Sequence, residues 1–138
     1  MKSAGELIDG FGVNIDEHLN RDELIPVRTG LQVQGDVAFI PTRRSTKKGE
    51  VVPAAGVPVV RGETGGNTHL LLAEGAVSWA PVEGGATATR PDLGVIDVPD
   101  DATAYMAHPE HGYLAFGPGA YIARRQVEHA DQIRLVQD

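Results

Sequence analysis

From Val27 onward, this chain carries only short apolar runs, rich in valine and isoleucine, before a glycine or a proline interrupts them. Such pieces suit strands joined by tight turns, because glycine and proline supply the backbone angles that turns need and weaken the interior of a helix. Strands are expected at residues 31–40, 57–60, 68–73, 76–80, 87–90, 93–98, 103–107, 113–116 and 120–126. Gly65-Gly66, Glu74-Gly75, Gly84-Gly85, Pro99-Asp100-Asp101 and Gly117-Pro118-Gly119 punctuate them. A chain of 138 residues fits one domain that can bury a core. The expected fold is all-β, a small single-domain barrel or sandwich, with a short helical arm in front.

That arm covers residues 1–25, and the β-rich domain covers 26–138. Leu7, Ile8 and Phe11 fall on one helical face, and Asn14 is placed to cap a second, polar helix over residues 15–24, with Asp16 and Glu17 in its first turn. Helices this short are marginal in water. The arm is therefore expected to take its order from contacts beyond itself, including neighbouring subunits.

With one Trp, three Tyr and three Phe, the core must be built mostly from aliphatic residues around Trp79. A net charge of −7 argues against general binding to nucleic acid or to an anionic membrane, both of which need a positive footprint. The exception is residues 41–50, where Arg43, Arg44, Lys47 and Lys48 cluster in what reads as an exposed loop without aromatic residues for base stacking. The chain has no cysteine, so disulfides, thiolate metal sites and thiol nucleophiles are excluded. No apolar run approaches the ~20 residues of a membrane-spanning helix, and Glu6 and Asp9 interrupt the first segment. A cytoplasmic location is expected, or a virion location for a phage-encoded protein.

Chemistry concentrates at His108-Pro109-Glu110-His111-Gly112. Proline at the second position of a β-turn presets φ, and the first and fourth residues of such a turn have Cα atoms within about 7 Å, so both imidazoles could reach one ion. A second focus is the glycine-rich stretch Gly62 to His69, in which Asn67 and His69 project from one face of an extended segment. His69, His108 and His111, with Glu110, Glu63 or Glu128 as an oxygen ligand, would suit a divalent transition metal such as Zn, Ni, Mn or Fe(II). The alternative is that His108 and His111 are surface residues and His69 bonds a strand-end carbonyl. Arg125 and Gln126, at the end of the last strand, are candidates to support the same site from inside, or to protect an exposed edge. The serines, Ser3, Ser45 and Ser78, stand in no nucleophile-elbow motif, so no catalytic residue is assigned.

The blocks Gly62-Glu63…His69, His108-x-Glu110-His111, Gly117-Pro118-Gly119-x-Tyr121 and Arg125-Gln126-x-Glu128 resemble an uncharacterised family of small bacterial and phage-encoded proteins. The resemblance covers the last ~80 residues, where the family pattern reads Gly-Glu-x-Thr-Gly-His-x-His, then His-x-Glu-His, Pro-Gly-Thr-Tyr and Gln-x-Glu-Tyr. This chain has Gly65 at the Thr position, Asn67 at the first His and His129 at the final Tyr. The pattern is also similar to the cupin arrangement, which implies a metal held by histidines from two strands.

Two functions are therefore expected to compete. The first is a non-catalytic binding or assembly module, such as a phage or other multi-subunit structural component, forming a homo-oligomer or larger assembly through its N-terminal arm. The second is a cupin-like metal-binding enzyme or sensor using His69, His108 and His111. An assembly subunit would bury the arm in a partner and disperse the histidines, whereas a metal site would bring them together in a concave pocket.

Overall fold

The computed structural model describes residues 1–13, 20–45, 49–60, 68–83, 87, 89, 91–128 and 134–135. In chain order its elements are β1 (Lys2–Ser3), α1 (Ala4–Phe11), β2 (Leu24–Ile25), β3 (Val27–Arg28), β4 (Gln32–Gln34), β5 (Val37–Thr42), β6 (Glu50–Val51), β7 (Val57–Val60), β8 (His69–Glu74), β9 (Ser78–Pro81), β10 (Asp92–Val98), β11 (Thr103–His108), β12 (Gly112–Phe116), β13 (Gly119–Arg125), β14 (Val127–Glu128) and β15 (Arg134–Leu135). One sheet runs β4-β5-β13-β10-β9-β6, and a second runs β3-β12-β11-β8-β7. Small ribbons pair β1 with β2 and β14 with β15.

Neither sheet closes on itself, so the domain is a sandwich and the expected barrel alternative is set aside. Alternation explains how the layers bind. Val37, Phe39, Ile96, Val98, Tyr121 and Ala123 from the six-stranded sheet meet Val60, Leu71, Ala104, Met106 and Phe116 from the five-stranded one, and all are buried. Trp79 belongs to this core, as expected, while Phe39, Phe116 and Tyr121 form a run of rings 5.1 Å apart.

The next residue along each inner strand faces the opposite way and meets a third layer. Leu72, Tyr105, Ala107, Tyr113 and Ala115 pack against Ala4 and Leu7 of α1 and against Ile25, with Ile8 and Phe11 alongside. Ser3 caps the helix through a reciprocal bond pair with Glu6, and Gly12 ends it in a left-handed conformation. The apolar face expected from Leu7, Ile8 and Phe11 thus lies on the chain's own five-stranded sheet.

Three expectations need correction. The 31–40 run is not one strand: β4 and β5 pair across a two-residue turn, with Gln34 opposite Val37 and Gly35 at φ 59°, the sign that the first position of a type II′ turn requires. Leu24, placed at the end of a polar helix, instead pairs with Ser3 in the β1–β2 ribbon; residues 14–19 of that expected helix lie outside the described residues. Thr87 and Thr89 stand in no strand, and residues 88 and 90 lie outside the described residues. Within the basic segment Arg44 is anchored, donating to the Val98 carbonyl at 2.7 Å and to Asp100 at 2.9 Å.

Candidate functional site

The expected turn forms. β11 and β12 pair with His108 opposite Gly112, leaving Pro109, Glu110 and His111 in the loop and Gly112 at φ 79°. The imidazole of His108 folds over this loop, and its Nδ1 accepts the backbone N–H groups of Glu110 at 3.1 Å and His111 at 3.2 Å. With its Nδ1 lone pair engaged, the neutral ring carries its proton on Nε2. The His108 side chain therefore caps its own turn, and its Nε2 is a donor.

His69 opens β8, next to β11, and their register, continued by one residue, sets it opposite His108. The two ring centroids are 4.5 Å apart, and those of His108 and His111 are 4.4 Å apart. His69 and His108 are fully buried and His111 is exposed, so three imidazoles form a file from the interior to the surface.

The β4–β5 turn completes the cluster from the other sheet. Gln34, at the end of β4, donates from Nε2 to the carbonyls of Met106 and Gly112, both at 3.1 Å, which directs its Oε1 at His69 Nδ1, 3.0 Å away. His69 therefore carries a proton on Nδ1 and presents Nε2 toward Asp36, whose Oδ1 lies 3.7 Å away. Both Gln34 and Asp36 are buried. The Asp36 carbonyl accepts from the backbone N–H of Gln126 at 2.9 Å, tying the end of β13 to the turn.

The proposed ligands separate on this geometry. Two ~2.1 Å bonds can span the 3.7 Å between His69 Nε2 and Asp36 Oδ1, and a hydrogen bond from His69 Nδ1 is the usual support behind a metal-bound imidazole. His108 would have to surrender its turn-capping bonds or its Nε2 proton to ligate. Among the described residues, no group of three or more His, Asp or Glu side chains has an arrangement that could hold a metal ion. Glu110 is exposed on the turn. Arg125 is half-buried at the end of β13, opposite Val37, and Gln126 is exposed, reaching the cluster through its backbone. Glu63 and Asn67 lie outside the described residues, and the Glu128 side chain is likewise undescribed.

Gln34 and Asp36 were missed by sequence reasoning, although a signal existed. Gly35-Asp36 between apolar residues is a two-residue hairpin signature, and reading it would have split the 31–40 run and turned both side chains toward the core.

A family model described as Domain of unknown function (DUF8820) matches residues 33–126. The chain belongs to this family. The DUF8820 span starts inside β4 and ends just after β13, so it contains every described member of the histidine cluster, while α1 and β1 to β3 lie before it. No curated protein and no solved structure matches the chain.

Proposed function

We propose that this DUF8820 protein is a non-catalytic, homo-oligomeric assembly module whose contact surface is the open end of the sandwich beside β3 and β4. One observation carries the reading: Leu24, Val27, Leu31 and Val33 are 58%, 44%, 64% and 48% exposed and crowd one short stretch where each sheet presents an edge strand. Exposed apolar residues scattered singly are ordinary, but Leu31 and Val33 line one groove beside β4, and apolar residues grouped on a surface mark an interaction site. The apolar face of α1 is already covered by the chain's own sheet, so the binding role moves from the arm to the segment after it. A phage or other multi-subunit structural component is one setting that suits such a module.

Sedimentation equilibrium tests this reading. The parent protein is expected to self-associate with increasing concentration, and Leu31→Asp to weaken association at least tenfold while leaving unfolding stability within about 0.5 kcal/mol, as for other exposed positions. A parent that stays monomeric up to millimolar concentration would overturn the proposal.

A second reading, a cupin-like metal-binding enzyme or sensor, is favoured by the convergence of the three imidazoles and the 3.7 Å spacing of His69 Nε2 and Asp36 Oδ1. It expects one equivalent of a divalent transition metal in protein purified without chelator, most of it lost in His69→Ala. Affinity should also fall as pH drops through ~6.5, because a ligating imidazole must be unprotonated. Elemental analysis showing no stoichiometric metal in the parent would remove this reading.

A further inference from the structure

The geometry points to a specific mode of association, which rests on the assembly reading above: we infer that β4 pairs antiparallel with β4 of a second copy of this chain, about a two-fold axis at Val33. In a hairpin with a two-residue turn, the residues flanking the turn exchange hydrogen bonds, and pairs alternate from there. Gln34 and Val37 flank the turn, so Val33, opposite Ala38, is in the non-bonded position. Its N–H and C=O therefore point away from β5, toward the open edge. Two such residues related by a two-fold satisfy each other, donor to acceptor and acceptor to donor.

The β4 edge is short, at three residues, but its backbone is otherwise unguarded. Sandwich proteins protect free edges with charge, proline or a bulge, and β4 reads Gln-Val-Gln with none of these. Its glutamines are engaged inward: Gln34 as described, and Gln32 by donation to the Ala115 carbonyl at 2.9 Å. Only Val33, and Leu31 on the same face, are presented outward.

Charge selects a second copy as the occupant, despite the net charge of −7 that makes two copies repel at a distance. Beside β4 lies a groove of about 320 Å³ lined by Glu23, Ile25, Arg28, Leu31 and Tyr113, among others. Neither the Glu23 nor the Arg28 side chain forms an ion pair or hydrogen bond among the described residues. A two-fold contact places residue i against j and j against i, so Glu23 and Arg28 of each copy can face Arg28 and Glu23 of the other.

The absence of cysteine makes a direct test available. Val33→Cys is expected to give a covalent dimer in high yield with a short bis-maleimide, since paired Cα atoms across such a strand pair are about 5.5 Å apart. Val51→Cys, more exposed than Val33 but on β6 at the far edge of the same sheet, is expected to cross-link at least tenfold less. Glu23→Arg and Arg28→Glu should each weaken association several-fold, and the double exchange should restore it. If the parent associates and Leu31→Asp abolishes association, yet Val33→Cys cross-links no better than Val51→Cys, strand pairing is overturned and the assembly reading survives. A parent that does not associate at any concentration overturns both.

Discussion

Gln34→Leu is expected to lower the unfolding free energy by about 3 kcal/mol or more, a loss of roughly 10 °C in Tm for a chain of this size. The side chain is 3% exposed and forms three bonds: two donated to the carbonyls of Met106 and Gly112, and one accepted from His69 Nδ1. Leucine fills a similar volume but removes both donated bonds and leaves an imidazole N–H without its acceptor away from water, and a buried polar group left unsatisfied costs about 1–3 kcal/mol. The cost should appear in urea unfolding at neutral pH, alongside His111→Ala, which removes an exposed ring and should change stability by less than about 0.5 kcal/mol. A Gln34→Leu effect under about 1 kcal/mol would mean that the amide does not organise the cluster.

Above pH 10 the protein is expected to lose stability steeply, because two tyrosines are buried behind α1. Burial pushes the hydroxyls of Tyr105 and Tyr113 up to about 12, and the Glu74 carboxylate adds to the shift at Tyr105. In the unfolded chain both ionise near pH 10. Between pH 10 and 12 the unfolded state therefore holds fewer protons than the folded one, and stability falls as pH rises. A two-unit difference is worth on the order of 2–3 kcal/mol per tyrosine, fully present below pH 10 and lost as pH passes 12. Tyr113→Phe should flatten this alkaline loss by less than half, because burial raises the Tyr121 hydroxyl as well, and at neutral pH it should cost little because the hydroxyl of Tyr113 has no partner among the described residues. Unfolding midpoints at pH 8 to 12 that fall equally in parent and variant would refute the assignment.

The parts of the fold that were legible in the sequence are those set by local chemistry. Pro109 before Glu110, with Gly112 behind them, fixed the 108–111 turn, and Leu7, Ile8 and Phe11 marked the buried side of α1. The candidate site was half legible, because its histidines stand in visible blocks while its organiser does not. Gln34 and His69 meet across 35 residues of chain and two different sheets, and no spacing rule links such positions. The second half of the site depends on the Gly35–Asp36 turn, since one continuous strand over 31–40 would send the Gln34 and Asp36 side chains elsewhere. Leu24, by contrast, went to a strand because Lys2 and Ser3 supply a pairing partner more than twenty residues upstream, which local propensity cannot register.

The position of β13 between β5 and β10 has a consequence for biosynthesis. β5 is complete at Thr42, but its partner on that side begins at Gly119, and at typical elongation rates the ribosome needs roughly 4–15 s to translate the interval. During that time β5, and β10 once it has been made, lacks β13 to pair with and offers an open backbone edge to other nascent chains. Chaperone demand and aggregation during expression should therefore depend on how quickly the last twenty residues of the DUF8820 region emerge, and slow codons placed just before Gly119 should lower soluble yield without changing a single amino acid.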